Sequence, residues 1–297
     1  SKKRRRPGTV GIVRFGAAQQ LPTTGRLVTQ AGGSIDLNGH DQSVQELALS
    51  PASGPTVAMH GATLDLHPGG LPNQIYADFG RSVLDGDVHF SSPTSAIDGP
   101  GTLAFTGRVS GNPGVTVRAN AAVEFTPSSV VAVDGLQFAQ GRVDGEVLTA
   151  PINGGRLSGS GTVQDVTMAG QSTSVMPGSL FQGPVTLTAR NVTLKAASSL
   201  AIMMNDYERH CGTCANQLHV LNRLDLSEQP DLTIDDATPT EPGRTFTVVR
   251  LDSLLPIAGT FHNLPEGSTA LGQARRYRIS YRGGDGNDIT LTDLGPL

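Results

Sequence analysis

Short apolar–polar–apolar triplets recur along the first half of the chain, each opened by a small residue and closed by a turn former. They are "GGSIDLNG" (32–39), "GATLDLHPG" (61–69), "GTLAFTG" (101–107) and "AAVEFTP" (121–127). Side chains on a strand alternate with period two. Ile35 with Leu37, Leu64 with Leu66, Leu103 with Phe105 and Val123 with Phe125 therefore each share one face. Asp36, Asp65, Ala104 and Glu124 fall on the opposite face, which is expected to be solvated. From Asp36 to Asp65 is 29 residues and from Asp65 to Glu124 is 59, so the phrases read as copies one and two turns apart. A strand this short cannot bury a face alone, but copies stacked on one another bury a continuous core.

The alternation continues in "GRLSGSGTVQDVTMAG" (155–170), "PVTLTARNVTLKAASSLAIMM" (184–204) and "PDLTID" (230–235). Val185, Leu187, Val192, Leu194, Leu200 and Ile202 mark its apolar positions. Periodicity alone does not assign 214–226, although Leu218/Val220 and Leu224/Leu226 favour strands. From about 236 the rhythm lengthens: "GRTFTVVRLDSL" and "ARRYRISYRG" flank "HNLPEGST". The expected organisation is an N-terminal arm or first turn over 1–25, β-solenoid repeats over 26–235, and a closing β module over 236–297. Such a module would cover the open end of the stack, with Phe246, Val248, Phe261, Leu264, Tyr277, Ile279 and Leu291 as its core.

Composition narrows the picture. The 297 residues include 37 Gly and 19 Pro, so a Gly or Pro interrupts nearly every helix-length window. Only 16% are charged, too few for a disordered chain of this apolar content. A net charge of −4 argues against a general nucleic-acid partner. The basic run "SKKRRRP" lies ahead of any periodic segment and reads as a chain end or processing scar. No window has the ~18 apolar residues of a membrane-spanning helix.

The phrases, in their order, resemble the passenger region of bacterial autotransporters and the strand repeats associated with it. "GGSIDLNGHDQSVQELAL" (32–49) is similar to that family's Leu-Asn-Gly repeat, and "GRLSGSGTVQDVTMAG" to its Gly-Ser-Gly-Thr-Val repeat. "GTFHNLPEGST…RYRISYRGGDGNDITLT" (259–292) is similar to its closing unit. The resemblance covers roughly 26–292 and is weakest over 70–150. It implies a right-handed parallel β-helix displayed or released outside a bacterial cell. That family commonly ends in a membrane β-barrel, and no run of alternating strands remains here to build one.

Three constellations could carry chemistry. Gly283, Gly284, Gly286 and Asp288 match part of a calcium nonapeptide, with Asp285, Asn287 and Asp288 as oxygen donors. The anchor position holds Thr290 rather than a large apolar residue, and the copy stands alone, so a metal-free turn is expected. Cys211 and Cys214, beside His210 and His219, could form zinc ligands, free thiols or a small disulfide. The extracellular setting implied by the resemblance makes the disulfide the default. Asp36, Asp65 and Glu124 could serve a glycosidase or lyase only if they converged. No catalytic, cofactor-binding or metal residue is expected, and no cofactor.

The expected function is a non-enzymatic extracellular or cell-surface scaffold: a stalk, an adhesin-like surface or an assembly unit. The alternatives are a carbohydrate-active β-helix depolymerase and a self-assembling filament subunit. Expected partners are further copies joined end to end and a surface glycan or protein, with no nucleic acid and no transmembrane segment.

Overall fold

The computed structural model describes residues 11–30, 32–52, 56–67, 74–148, 151–178, 185–204, 215–236 and 241–297. Every regular element among them is a β-strand, as the alternation and the frequent Gly and Pro require. No helix among the described residues is long and apolar enough to cross a membrane. The chain forms two compact units, residues 1–134 and 135–297.

In the first unit the strands pair in parallel along three columns. One runs Val13, Ile35, Val57, Leu84, Phe105, Phe125. A second runs Gln42, Leu64, Val88, Val109, Val131. The third runs Leu27, Leu47, Ile75, Ile97, Ala119. Like side chains thus stack on like, and the rings of Phe105 and Phe125 lie 5.6 Å apart. The eight apolar residues picked out by the triplets are all buried.

The register corrects the reading of the acids. Asp36 stands beside Ala58, whereas Asp65 stands between Ser43 and His89. Asp36 and Asp65 therefore occupy different columns. Their 29-residue spacing is one turn, from Asp36 to Ala58, plus a further run around a corner. The faces also differ from expectation, since Asp36 is only 6% exposed and Ala104 is fully buried.

Tight corners between columns depend on glycine. Gly99 has φ +116°, and a methyl group there would be driven into the Ala77 carbonyl. Gly99→Ala is therefore expected to cost at least about 2 kcal/mol, from backbone strain and a clash that backbone cannot relieve. The loss would be read as a lowered urea midpoint.

The second unit begins in the same way. One parallel column runs Val163, Ala189, Val220, Leu251, and another runs Ile152, Val166, Val192, Leu224. The ambiguous stretch 214–226 contains the strand Gln217–Leu226. At Thr245–Leu251 the pairing changes direction. That strand is parallel to Gln217–Leu226 on one side and antiparallel to Asp288–Pro296 on the other. Asp288–Pro296 pairs antiparallel with Arg275–Gly283, which pairs antiparallel with Thr269–Leu271. Phe246, Val248, Tyr277, Ile279 and Leu291 are buried in this closing sheet; Phe261 is buried in the loop before it, bridged to the half-buried Leu264.

Candidate binding groove

The third column of the second unit carries an open groove of about 550 Å³. It is built on Gly135–Val143, Arg156–Gly159, Ser174–Pro177, Ser199–Met203 and Asp231–Asp235, paired in parallel in that order. The turns that feed three of these strands are alike. Ser172, Ala197 and Gln229 each take a left-handed conformation, with φ of 66°, 63° and 54°, two residues before the strand begins. Leu157, Val175 and Leu200 point inward and are buried. Their neighbours point outward and, being in register, form a row: Gln140, Arg156, Ser174, Ser199, Asp231. A second row holds Ser158, Met176, Ala201 and Thr233. Small hydroxyl side chains thus floor the groove, an arginine stands toward one end and an aspartate at the other. Neither Arg156 nor Asp231 has an ion-pair or side-chain hydrogen-bond partner among the described residues.

The acids singled out from sequence do not converge; each is tied to partners of its own. Arg14 Nε lies 2.7 Å from Asp36 Oδ2, His60 Nε2 lies 3.4 Å from Oδ1, and the Asn38 N–H donates to the same carboxylate. Burial pushes the Asp36 carboxyl up, but the Arg14 bond, the Asn38 N–H and the Arg14 charge together hold it below its usual 3.8. Asp65 accepts from Ser91 Oγ at 2.6 Å and has His67 at 3.8 Å. Glu124 pairs with Arg81 at 2.7 Å.

The Gly-Gly-Asp-Gly-Asn-Asp stretch forms the hairpin loop between the last two strands, closed by Gly286 N donating to the Gly283 carbonyl at 2.8 Å. Asn287 and Asp288 are aimed into the fold, while Asp285 is exposed. Asp288 Oδ1 accepts the Leu251 N–H at 2.9 Å, and Asn287 donates to the Ser253 carbonyl. Gly284, with φ +56°, packs against the Asp288 carboxylate with no room for a side chain. No group of three or more His, Cys, Asp or Glu that could hold a metal occurs among the described residues. Cys211 and Cys214, with the disulfide expected between them, and the basic run lie outside the described residues.

Sequence reasoning missed a buried polar network in the closing sheet. Arg275 Nε donates to Asp293 Oδ2 at 2.7 Å, with side-chain exposures of 10% and 0%. Asp236, 1% exposed, accepts the Tyr277 hydroxyl at 3.2 Å and the Ala274 N–H at 2.9 Å. The sequence signal is slight: Tyr277 falls on an expected core position and Asp293 lies two residues from Leu291, as many exposed residues also lie from apolar ones.

Tyr281 is the second hidden anchor. Its hydroxyl donates to the Leu264 carbonyl at 2.8 Å and accepts the Phe261 N–H at 2.9 Å, pinning the loop that joins them. Burial, with a smaller push from Glu266, raises its pKa from 10.0 to about 12. The neutral phenol is therefore favoured by the fold, so its contribution is complete below pH 10 and is lost as pH rises toward 12. Tyr281→Phe should flatten the fall in urea midpoint between those pH values. It should also cost about 1–3 kcal/mol at neutral pH by stranding two backbone groups.

No family model matches the chain, and no curated protein does.

Proposed function

We propose that the protein is a non-enzymatic scaffold of extracellular or bacterial cell-surface type, each unit a right-handed parallel β-helix, with the antiparallel sheet capping the second. The carrying observation is the in-register stacking of Leu, Ile, Val and Phe along three parallel columns. A chain that returns to the same column after every turn needs a crossover between parallel strands, and such crossovers are right-handed in about 98% of cases. Stacking of this kind builds a rigid surface from many weak repeats, as a stalk or adhesin-like support requires.

The carboxylates support the non-enzymatic reading. A general acid needs a carboxyl that holds its proton near the working pH. Asp36 is instead held below its usual range by the Arg14 bond and the Asn38 N–H, and Glu124 is occupied by Arg81. The antiparallel sheet supports the capping role, because it gives the last parallel strand a partner of opposite direction and ends the stack.

The reading is tested by incubating the protein with a panel of bacterial and host surface polysaccharides. No reducing ends and no unsaturated products are expected. Turnover that disappears in Asp36→Asn or Asp65→Asn would establish a depolymerase instead. Concentration-dependent fibres in negative stain would establish a filament subunit.

A further inference from the structure

We infer that the groove of the second unit binds an extended peptide of about five residues with free ends, lying across the strands, its amino end at Asp231 and its carboxyl end at Arg156. This goes beyond the scaffold reading, because a stalk needs no groove and no opposed unpaired charges.

Charge carries the first step. Arg156 and Asp231 are exposed, belong to one in-register row, and have no partner of their own among the described residues. A ligand that is anionic at one end and cationic at the other matches both charges. A neutral polysaccharide offers hydrogen bonds to both but no opposite charge, and a uniformly anionic polymer would set like charge against Asp231. A planar guanidinium pairs with a carboxylate through two parallel N–H bonds, which suits a peptide C-terminus.

Length carries the second step. Arg156 and Asp231 are three strand spacings apart, about 14 Å at the ~4.8 Å separation of paired strands. An extended peptide advances about 3.3 Å per residue, so four steps, or five residues, cover that distance.

The floor carries the third step. Between the charges lie Ser174 and Ser199, whose hydroxyls can each donate to a peptide carbonyl or accept from a peptide N–H. No side chain larger than Met176 rises in the adjoining row to block the path. The left-handed turn residues Ser172 and Ala197 border the groove, so the chain's own corners form its lip.

The test is calorimetric titration of the whole chain with Gly-Ser-Gly-Ser-Gly, its N-acetylated form, its C-amidated form, and free-ended analogues of three and nine residues. The free pentapeptide is expected to bind tightest, and blocking either end should weaken binding by up to about fivefold, as loss of an exposed ion pair implies. Arg156→Gln should abolish the effect of C-amidation while keeping that of N-acetylation, and Asp231→Asn should do the converse. Both side chains are exposed, so unchanged circular dichroism and melting are expected and confirm that the variants fold. Equal affinity for free and blocked peptides, no saturation in the millimolar range, or tighter binding of an oligouronate would each overturn the assignment. None of these outcomes bears on whether the protein degrades glycans, so the two readings fail separately.

Discussion

Asp293→Ala should be among the most damaging single substitutions in the second unit, lowering the unfolding free energy by about 3–5 kcal/mol, the range for removing one partner of a buried ion pair. The Asp293 side chain is fully buried and receives Arg275 Nε at 2.7 Å and the Gly295 N–H at 2.7 Å. Truncation would leave a guanidinium that is 10% exposed without its counter-ion. The cost comes from stranding that charge, and the double variant Arg275→Leu with Asp293→Leu separates the two contributions. Exchanging a whole buried pair for apolar residues is often close to neutral, so the double variant should recover most of the loss. Urea titration followed by circular dichroism reads both values. A loss below about 1 kcal/mol for Asp293→Ala would mean that the pair is solvated in solution.

That network shows where sequence reasoning stops. Period two places Ile35, Leu64, Phe105 and Leu218 correctly in the core, because the inside–outside choice on a strand is local. Burial of an acid is not local. Asp236 and Tyr277 lie 41 residues apart and meet only when the antiparallel sheet folds back. Asp36 looks like any outward strand residue, yet it is enclosed because Arg14, one turn earlier in its column, reaches over it.

The groove was hidden for a related reason. Arg156, Ser174, Ser199 and Asp231 are separated by intervals of 18, 25 and 32 residues, since each turn carries corners of different length. Unequal steps leave no fixed period to find, so the row exists only once the register is known. The same inequality made a 29-residue interval resemble a repeat when it crosses from one column to another. The closing sheet was more legible. Its strands are long and its apolar positions alternate cleanly, so six of the seven expected core residues are buried. The Gly-Gly-Asp-Gly-Asn-Asp stretch was legible as a turn, because Gly284 and Gly286 both adopt positive φ.

Removal of residues 276–297 should have the largest effect of all, converting the protein into an aggregating or protease-sensitive form. The deletion takes away most of Arg275–Gly283 and the whole of Asp288–Pro296, and with them the buried Tyr277, Ile279, Ile289 and Leu291. Thr245–Leu251 would lose its antiparallel neighbour and present a row of unpaired N–H and C=O groups beside Phe246 and Val248. An exposed apolar edge of that kind recruits strands from other molecules. Asp236 would lose the Tyr277 hydroxyl, leaving the end of the strand Asp231–Asp235 tied to less of the sheet. Light scattering on a size-exclusion column should show higher-order species for the deletion and not for the intact chain, and limited trypsinolysis should open the truncated protein first near Arg244 and Arg250. Chelator separates this closing sheet from a metal-clamped one. Because Asp288 and Asn287 are engaged with Leu251 and Ser253, EDTA should leave the intact protein's melting temperature unchanged. A fall of several degrees that calcium restores would mean that the hairpin loop is held by an ion, and a truncated chain that stays monomeric with an unaltered melting curve would mean that the antiparallel sheet does not cap the stack.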